Sequence, residues 1–370
     1  MSNPSPTALV KAGDATRARV VSEKKPMSAF QGTGAVHAQV AKERVLHEIY
    51  FAARQWLYTN EYMEVTVPRI VRASGACENV NTLYNVYANS NEKEWYGKQA
   101  FLAQTGQLYL EAMVPHFGKV FCDGPSFRAE DDIDGRHLTE FRMIEIELPT
   151  DFNGLLDQLQ GFINHIVSHI IYANDTKNLG IRPERIKELK QCPRVFAQIT
   201  YDEAIEKLQG FGIDIAWGDD LKHNHELLLS GAFNNQPIFI TRFPDPMWDH
   251  GQEIEVEKFF NMTMDTKNPG RVLSADCILP YSGESIGSAA RISDPETMIA
   301  RLKNSQMFDR LVQLGGSLDD FAWYINELRT HGSVPHAGCG FGMARIAQFI
   351  LGESDIRNAV NFVSNKETLI

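Results

Sequence analysis

The stretch Phe127–Glu147, FRAEDDIDGRHLTEFRMIEIE, constrains the fold more than any other part of the chain. Its ends alternate charged and apolar side chains. Phe127-Arg128-Ala129-Glu130 and Phe141-Arg142-Met143-Ile144-Glu145-Ile146-Glu147 each read as a strand with one polar and one apolar face. Between them Asp131, Asp132, Asp134 and Gly135 are turn formers, so the stretch predicts two antiparallel strands joined by a long mobile loop. Arg128, Glu130, Arg136, His137, Glu140, Arg142, Glu145 and Glu147 crowd this hairpin. A solvated hairpin with cross-strand ion pairs would account for them. A nucleotide platform would do so too, with arginine for phosphate, glutamate for an exocyclic amine and Phe141 for a purine face.

The rest of the chain narrows the setting. Its 370 residues suffice for one large domain or two ordinary ones. No stretch reaches the ~20 apolar residues that span a bilayer. Lysine plus arginine is 36 against 47 for aspartate plus glutamate, a net charge of −11, the wrong sign for a chain whose main task is to grip a polyanion. The 5 cysteines, none in CxxC spacing, predict reduced thiols and a cytoplasmic protein. His165 and His169 stand one helical turn apart with no evident carboxylate or cysteine partner, so they read as a helix surface or core pair and not as zinc ligands.

Residues 1–36 hold Pro4, Pro6, Gly13, Pro26, Gly32 and Gly34 with few large apolar side chains, the composition of a poorly ordered, slightly basic arm. The arm lacks the apolar core of a secretory signal, and Asp14 and Glu23 count against a mitochondrial presequence. From His37 to about Thr59, Val40, Val45, Leu46, Ile49, Ala53, Trp56 and Leu57 trace the apolar face of a helix. Tyr62–Pro68 reads as a strand closed by proline, and Lys119–Cys122 as another leading into the hairpin. Residues 154–174 predict a second amphipathic helix, and Pro237–Thr241 a buried strand.

Ser274–Leu279 reads as a strand, followed by Gly283-Glu284-Ser285-Ile286-Gly287-Ser288 and Arg291. Asp276 and Glu284, 8 positions apart on neighbouring strands, could share a hard cation that also touches phosphate oxygens. In His336-Ala337-Gly338-Cys339-Gly340-Phe341-Gly342-Met343-Ala344-Arg345, alternating glycines let a strand pass close beneath a ligand, with Arg345 at the start of the following helix.

These blocks, in this order, resemble motifs of the class II aminoacyl-tRNA synthetases. FRAE, a loop, RHLTEF and MIEIE resemble motif 2, closest to the asparaginyl and aspartyl enzymes. The helix, strand and Pro68 resemble motif 1, which in the family builds the homodimer interface. GxGxGxxR followed by Asp355-Ile356-Arg357-Asn358 resembles motif 3. The resemblance covers about residues 38–362 and implies an α/β (α+β) fold, an antiparallel sheet flanked by helices. It divides the chain into the arm, 1–36, and a catalytic domain, 37–370. The aspartyl and asparaginyl enzymes also carry an N-terminal OB-fold barrel of roughly 100 residues that binds the anticodon. The arm cannot form one. Departures are Ala290, where the family usually has glutamine, and Phe362-Val363-Ser364, where it usually ends in Phe-Pro-Arg.

The resemblance implies attack of an amino acid carboxylate on the α-phosphorus of ATP, with release of pyrophosphate. Catalysis is then mainly positioning and charge stabilisation. By carry-over, Arg128 would hold the α-phosphate and the substrate carboxylate, and Glu130 would accept from the adenine amino group. Phe141 and Arg345 would sandwich the purine. Arg345, Arg136 and His137 would neutralise the β- and γ-phosphates, and Asp276 and Glu284 would hold Mg²⁺. Glu78 and Gln107 stand where the family contacts the bound amino acid. The aspartyl enzymes place a lysine three residues after that glutamine; here the residue is Leu110. Arg291 and Glu145 without the lysine read asparagine or a close carboxamide analogue. The expectation is an adenylate-forming ligase and homodimer whose acyl acceptor is an amine, ammonia or a carrier, with weak tRNA binding. The alternatives are a genuine asparagine–tRNA ligase without the anticodon domain and a non-catalytic paralogue that binds amino acid or tRNA.

Overall fold

The computed structural model of the chain describes residues 35–73, 80–88, 95–131, 133–331 and 334–368. The arm expected at 1–36 falls outside them but for its last two residues, which open the first helix, and Glu78 lies outside them as well. The described strands are β1 (Met63–Glu64), β2 (Ile70–Val71), β3 (Asn85–Val86), β4 (Ala100–Leu102), β5 (Val120–Phe127), β6 (Glu140–Leu148), β7 (Ala197–Thr200), β8 (Ile238–Thr241), β9 (Ser274–Leu279), β10 (Gly283–Ala290) and β11 (Ala337–Gly342). Eight of them form one sheet in the order β1-β5-β6-β11-β10-β9-β8-β7, and β2-β4-β3 form a small second sheet. The large sheet is antiparallel except at its rims, where β1 runs parallel to β5 and β7 parallel to β8. It is the helix-flanked antiparallel sheet of the expected fold class.

Two long helices, Ala35–Thr59 and Phe152–Lys177, cover one face of this sheet. The second starts where Asp151 accepts a hydrogen bond from the Gly154 N–H, a side-chain cap for the otherwise unpaired first turn. Its Leu155, Leu159, Phe162, Ile163, Ile166 and Ile170 recur at helical spacing and are buried. Phe162 stacks on Phe341 of β11 with ring centroids 3.9 Å apart, and Trp56 of the first helix meets Phe162 edge-on at 5.4 Å. Each buried side chain of this size contributes about 1.5–3 kcal/mol by leaving water. His169 bonds Glu48 at 2.7 Å, and His165 meets Gln55 at 3.3 Å, so these two histidines tie the helices together.

The hairpin differs from its sequence reading in one respect. β5 runs unbroken from Val120 to Phe127 and ends there, so the separate strand expected at Lys119–Cys122 is its first half. The Arg128 N–H still donates to Thr139 O, at 2.9 Å, but the Ala129 N–H turns away to Thr82 O, at 2.7 Å. Arg128 and Glu130 are therefore loop residues at the mouth of the hairpin. Alternation of side chains cannot distinguish a paired strand from an extended loop. Tyr62–Pro68 likewise keeps only a short ladder, Met63–Glu64, beside β5. Among the described residues no helix is long and apolar enough to cross a membrane.

Candidate active site

Strands β6, β11, β10 and β9 lie side by side, and a cavity of about 590 Å³ opens over them, within the range of small-molecule sites. Its walls collect Arg128, Glu130, Arg136, His137 and Phe141 from the hairpin, Asp276 and Glu284 from β9 and β10, and Arg345 from the helix Met343–Leu351. Gln107, Glu145 and Arg291 line it as well. Every described residue singled out from the sequence thus reaches one cavity.

At one end three guanidinium groups converge. Arg345 donates to the Glu284 carbonyl oxygen and stands 4.0 Å from that residue's carboxylate. Burial lowers its pKa; the Glu284 charge opposes this, and Arg136 and Arg128 add to the lowering. Arg136 lies 3.6 Å from Glu226, and its Nε is buried without a hydrogen-bond acceptor among the described residues. The Arg128 guanidinium covers the Phe141 ring at 5.3 Å. Like charges held together against repulsion suit a polyanion such as a triphosphate. Asp134 shapes the loop that carries two of these groups: it accepts from the Arg136 and His137 N–H groups at 2.8 and 3.0 Å, and lies 2.9 Å from His137 Nδ1.

Asp276 and Glu284 flank this end, together with a residue that the sequence reading missed. Lys258 donates to both Asp276 oxygens, at 2.8 and 3.1 Å, and its ammonium sits 3.8 Å over the Phe243 ring. Burial pushes the Asp276 carboxyl up to about 7; Lys258 pulls it down, while Glu284 and Glu226 add to the rise. One lysine leaves this carboxylate short of positive charge, and its oxygens and those of Glu284 are the hard donors that Mg²⁺ takes. The residues present therefore fit that ion. Lys258 lies in an irregular segment, residues 242–273, with no periodicity to mark it.

The other end is a buried polar network. Arg291 donates to Glu147 through Nε and Nη2, at 3.1 and 2.8 Å, and both residues are buried. Glu145 accepts from the Thr105 hydroxyl and from the Gly106 N–H, the latter at 2.8 Å, so its carboxylate fixes the turn before the helix Gln107–Phe117 while lining the cavity. Gln107 donates to Glu111 at 2.6 Å. Glu111 also accepts from Asn261 and Tyr324, both at 2.6 Å, with His336 3.5 Å away. Glu147 was unmarked as a site residue because Arg291 is 144 positions away, and Glu111 because Asn261 and Tyr324 are 150 and 213 positions away. Leu110 is fully buried beside Val114, Val120 and Cys122, so this position brings no cation to the cavity.

The glycines of β11 serve neighbouring side chains as much as any ligand. A Cβ at Gly338 would lie 2.0 Å from the Glu147 carboxyl carbon, and one at Gly340 would lie 2.4 Å from Met143 Cε. Both neighbours stand on β6, which pairs with β11 through Gly338–Glu147 and Gly342–Met143.

Comparison with known proteins agrees with this geometry. Residues 38–366 match the family of tRNA synthetases class II (D, K and N). The chain is 34% identical to an asparagine–tRNA ligase of Roseiflexus sp. (strain RS-1) over 332 residues, 88% of this chain and 69% of that protein. It is 35% identical to that of Chloroflexus aurantiacus (strain ATCC 29366 / DSM 635 / J-10-fl), over 86% of this chain and 68% of that protein. The structure is similar to asparaginyl-tRNA synthetase from Pyrococcus horikoshii complexed with asparaginyl-adenylate, with a TM-score of 0.75 and 29% identity over 99% of this chain and 74% of that one. The Entamoeba histolytica enzyme in complex with asparaginyl-adenylate gives a TM-score of 0.74 and 27% identity over 90% of this chain and 68% of that one. The fold, the convergent arginines and these matches together show that the chain belongs to the class II aminoacyl-tRNA synthetases of the D, K and N group, as a ligase of the adenylate-forming kind.

Proposed function

We propose that the cavity activates asparagine, or a close carboxamide analogue, with ATP as its asparaginyl-adenylate. The observation that carries this reading is the pairing of Arg291 with a carboxylate at the amino-acid end while Leu110 is buried away from it. A side-chain carboxylate would need a second cation there. A carboxamide needs one donor and one acceptor, which Arg291 and the lone pairs of Glu145 or Glu147 supply. At the other end Arg128 would hold the α-phosphate and the attacking carboxylate, Glu130 the adenine amino group, and Arg345, Arg136 and His137 the terminal phosphates. Phe141 offers the purine one flat face. Asp276 and Glu284 would hold Mg²⁺, which supplies charge neutralisation to the departing pyrophosphate. The substrate carboxylate is already a nucleophile, so no side chain has to remove a proton from it. Mg²⁺-dependent pyrophosphate exchange is expected to be stimulated by asparagine more than by aspartate. Isotope exchange across the twenty amino acids checks this, and a clear preference for aspartate would sink the specificity reading while leaving the fold intact.

We infer that the acyl group passes to an amine, ammonia or a carrier. The net charge of −11 works against the many phosphate contacts that tRNA binding needs, which favours a small amine or carrier. The segment after β11 supports this reading: Thr139 donates its N–H to Ser364 O at 2.8 Å and Lys366 bonds Asp131 at 2.6 Å, so residues 364–366 are spent on the hairpin loop. Charging of total tRNA at a synthetase-like rate would overturn it in favour of a true asparagine–tRNA ligase.

A homodimer is part of the same proposal. Val40, Phe51 and Tyr58 on the first helix and Met63 on β1 are each about half exposed, an apolar strip where the resemblance puts the dimer element. Light scattering at micromolar concentration is expected to give twice the chain mass, 41.7 kDa per chain. A monomer there would refute the dimer.

A further inference from the structure

The helix Gln107–Phe117 begins in the cavity with Gln107 and ends near the surface with His116 in its last turn. Beside it runs the helix Ala322–His331, which carries Glu327 and His331 one turn apart on one face. His116 Nε2 lies 2.7 Å from Glu327 Oε1, and His331 Nε2 lies 3.4 Å from the same oxygen. The two imidazoles stand 4.5 Å apart, centre to centre. The three ligand atoms are all within 4.8 Å of one another, the only such grouping of histidine, cysteine and acidic side chains among the described residues.

We propose that His116, Glu327 and His331 bind a first-row divalent cation, zinc in preference to magnesium, as a clamp between the two helices. Around a tetrahedral zinc with bonds of about 2.0–2.1 Å, ligand atoms stand about 3.3 Å apart. The two nitrogen–oxygen separations, 2.7 and 3.4 Å, bracket that value, so small rotations of side chains that are 28–42% exposed complete the set. Neutral imidazoles and a carboxylate suit zinc, whereas magnesium prefers oxygen alone. Both ring nitrogens lie within 3.4 Å of one oxygen, Glu327 Oε1, so loss of the Nε2 protons would bring two nitrogen lone pairs and a carboxylate oxygen to one shared cation. Water would take the fourth position.

The two helices already meet at two further points. Tyr324 donates to Glu111 at 2.6 Å, and Tyr109 stacks on Trp323 at 4.6 Å. A cation at His116 would hold the end of the helix ~13 Å from Gln107, by the rise of 1.5 Å per residue. This role is structural and separate from the Mg²⁺ expected at Asp276 and Glu284.

The test is titration of the chelator-treated full chain with Zn²⁺ alone, by calorimetry, with Co²⁺ absorption as a report on geometry. One zinc per chain and a tetrahedral cobalt spectrum are expected. His116→Ala and His331→Ala should each weaken zinc binding by about tenfold or more. Zinc should raise the thermal midpoint of the unsubstituted chain and not that of either variant. His165→Ala, on another helix, should bind as the unsubstituted chain does. No zinc uptake by the unsubstituted chain, or equal uptake by both variants with native circular dichroism, would overturn the site and leave His116–Glu327 as an ion pair. Neither result bears on adenylate formation.

Discussion

Alanine at position 345 is expected to slow adenylate formation by about 10²–10³-fold, or about 3–4 kcal/mol, the scale for losing one preorganised charge partner. Arg345 sits in the first turn of the helix after β11, anchored on the Glu284 carbonyl and facing Arg128 and Arg136. Its guanidinium is thus held before any ligand arrives, and no reorganisation is needed when charge develops on the leaving pyrophosphate. Removing it also relieves repulsion among the three arginines, so the fold should survive. Pyrophosphate exchange measured beside circular dichroism separates the two effects. Arg128→Ala is expected to act on the same scale. Native spectra with unchanged exchange in either variant would mean that the cavity is not the ATP site.

Arg291→Ala is expected to do the opposite, costing stability first: about 3–5 kcal/mol, because it leaves Glu147 buried without its partner. The pH dependence has a definite sign. Burial pushes Glu147 up to about 7 from its ordinary 4.5, while Arg291 pulls it down and Glu111 pushes it further up. A carboxyl raised on folding binds more protons in the folded than in the unfolded chain between those two values. Its contribution is fully present below 4.5 and is lost as pH rises through about 7. Without Arg291 the folded value moves higher still, so the deficit of the variant should widen from acid to neutral pH. Denaturant unfolding across that range checks this. The double variant Arg291→Met, Glu147→Met should recover much of the loss, since apolar replacement of both partners leaves neither of them as an unpaired buried charge. A single variant as stable as the unsubstituted chain at neutral pH would show that the pair is solvated.

Much of this chain is written locally. The two long helices could be read from apolar side chains at helical spacing, and Ser274–Leu279 was read as the strand that the structure shows as the fully buried β9. The hairpin and the strand-to-helix step at Arg345 were legible for the same reason: alternation, turn residues and glycine act over a few positions. The residues that meet nucleotide in the proposal sit at element ends, so motif order placed them in one cavity.

What the sequence could not supply is which buried charges meet. Glu111 finds Asn261 and Tyr324 across 150 and 213 positions, and Lys258 finds Asp276 from a loop without pattern. Glu147 and Arg291 are 144 positions apart, and β11 runs between the strands that carry or precede them. Their contact depends on the strand order β6-β11-β10 and on the register that sets Gly338 opposite Glu147. Only there does the missing side chain of Gly338 leave space for a carboxylate to reach over the middle strand. A glycine in an alternating run reads from sequence as freedom of the backbone; the assembled sheet alone decides whose side chain fills the space.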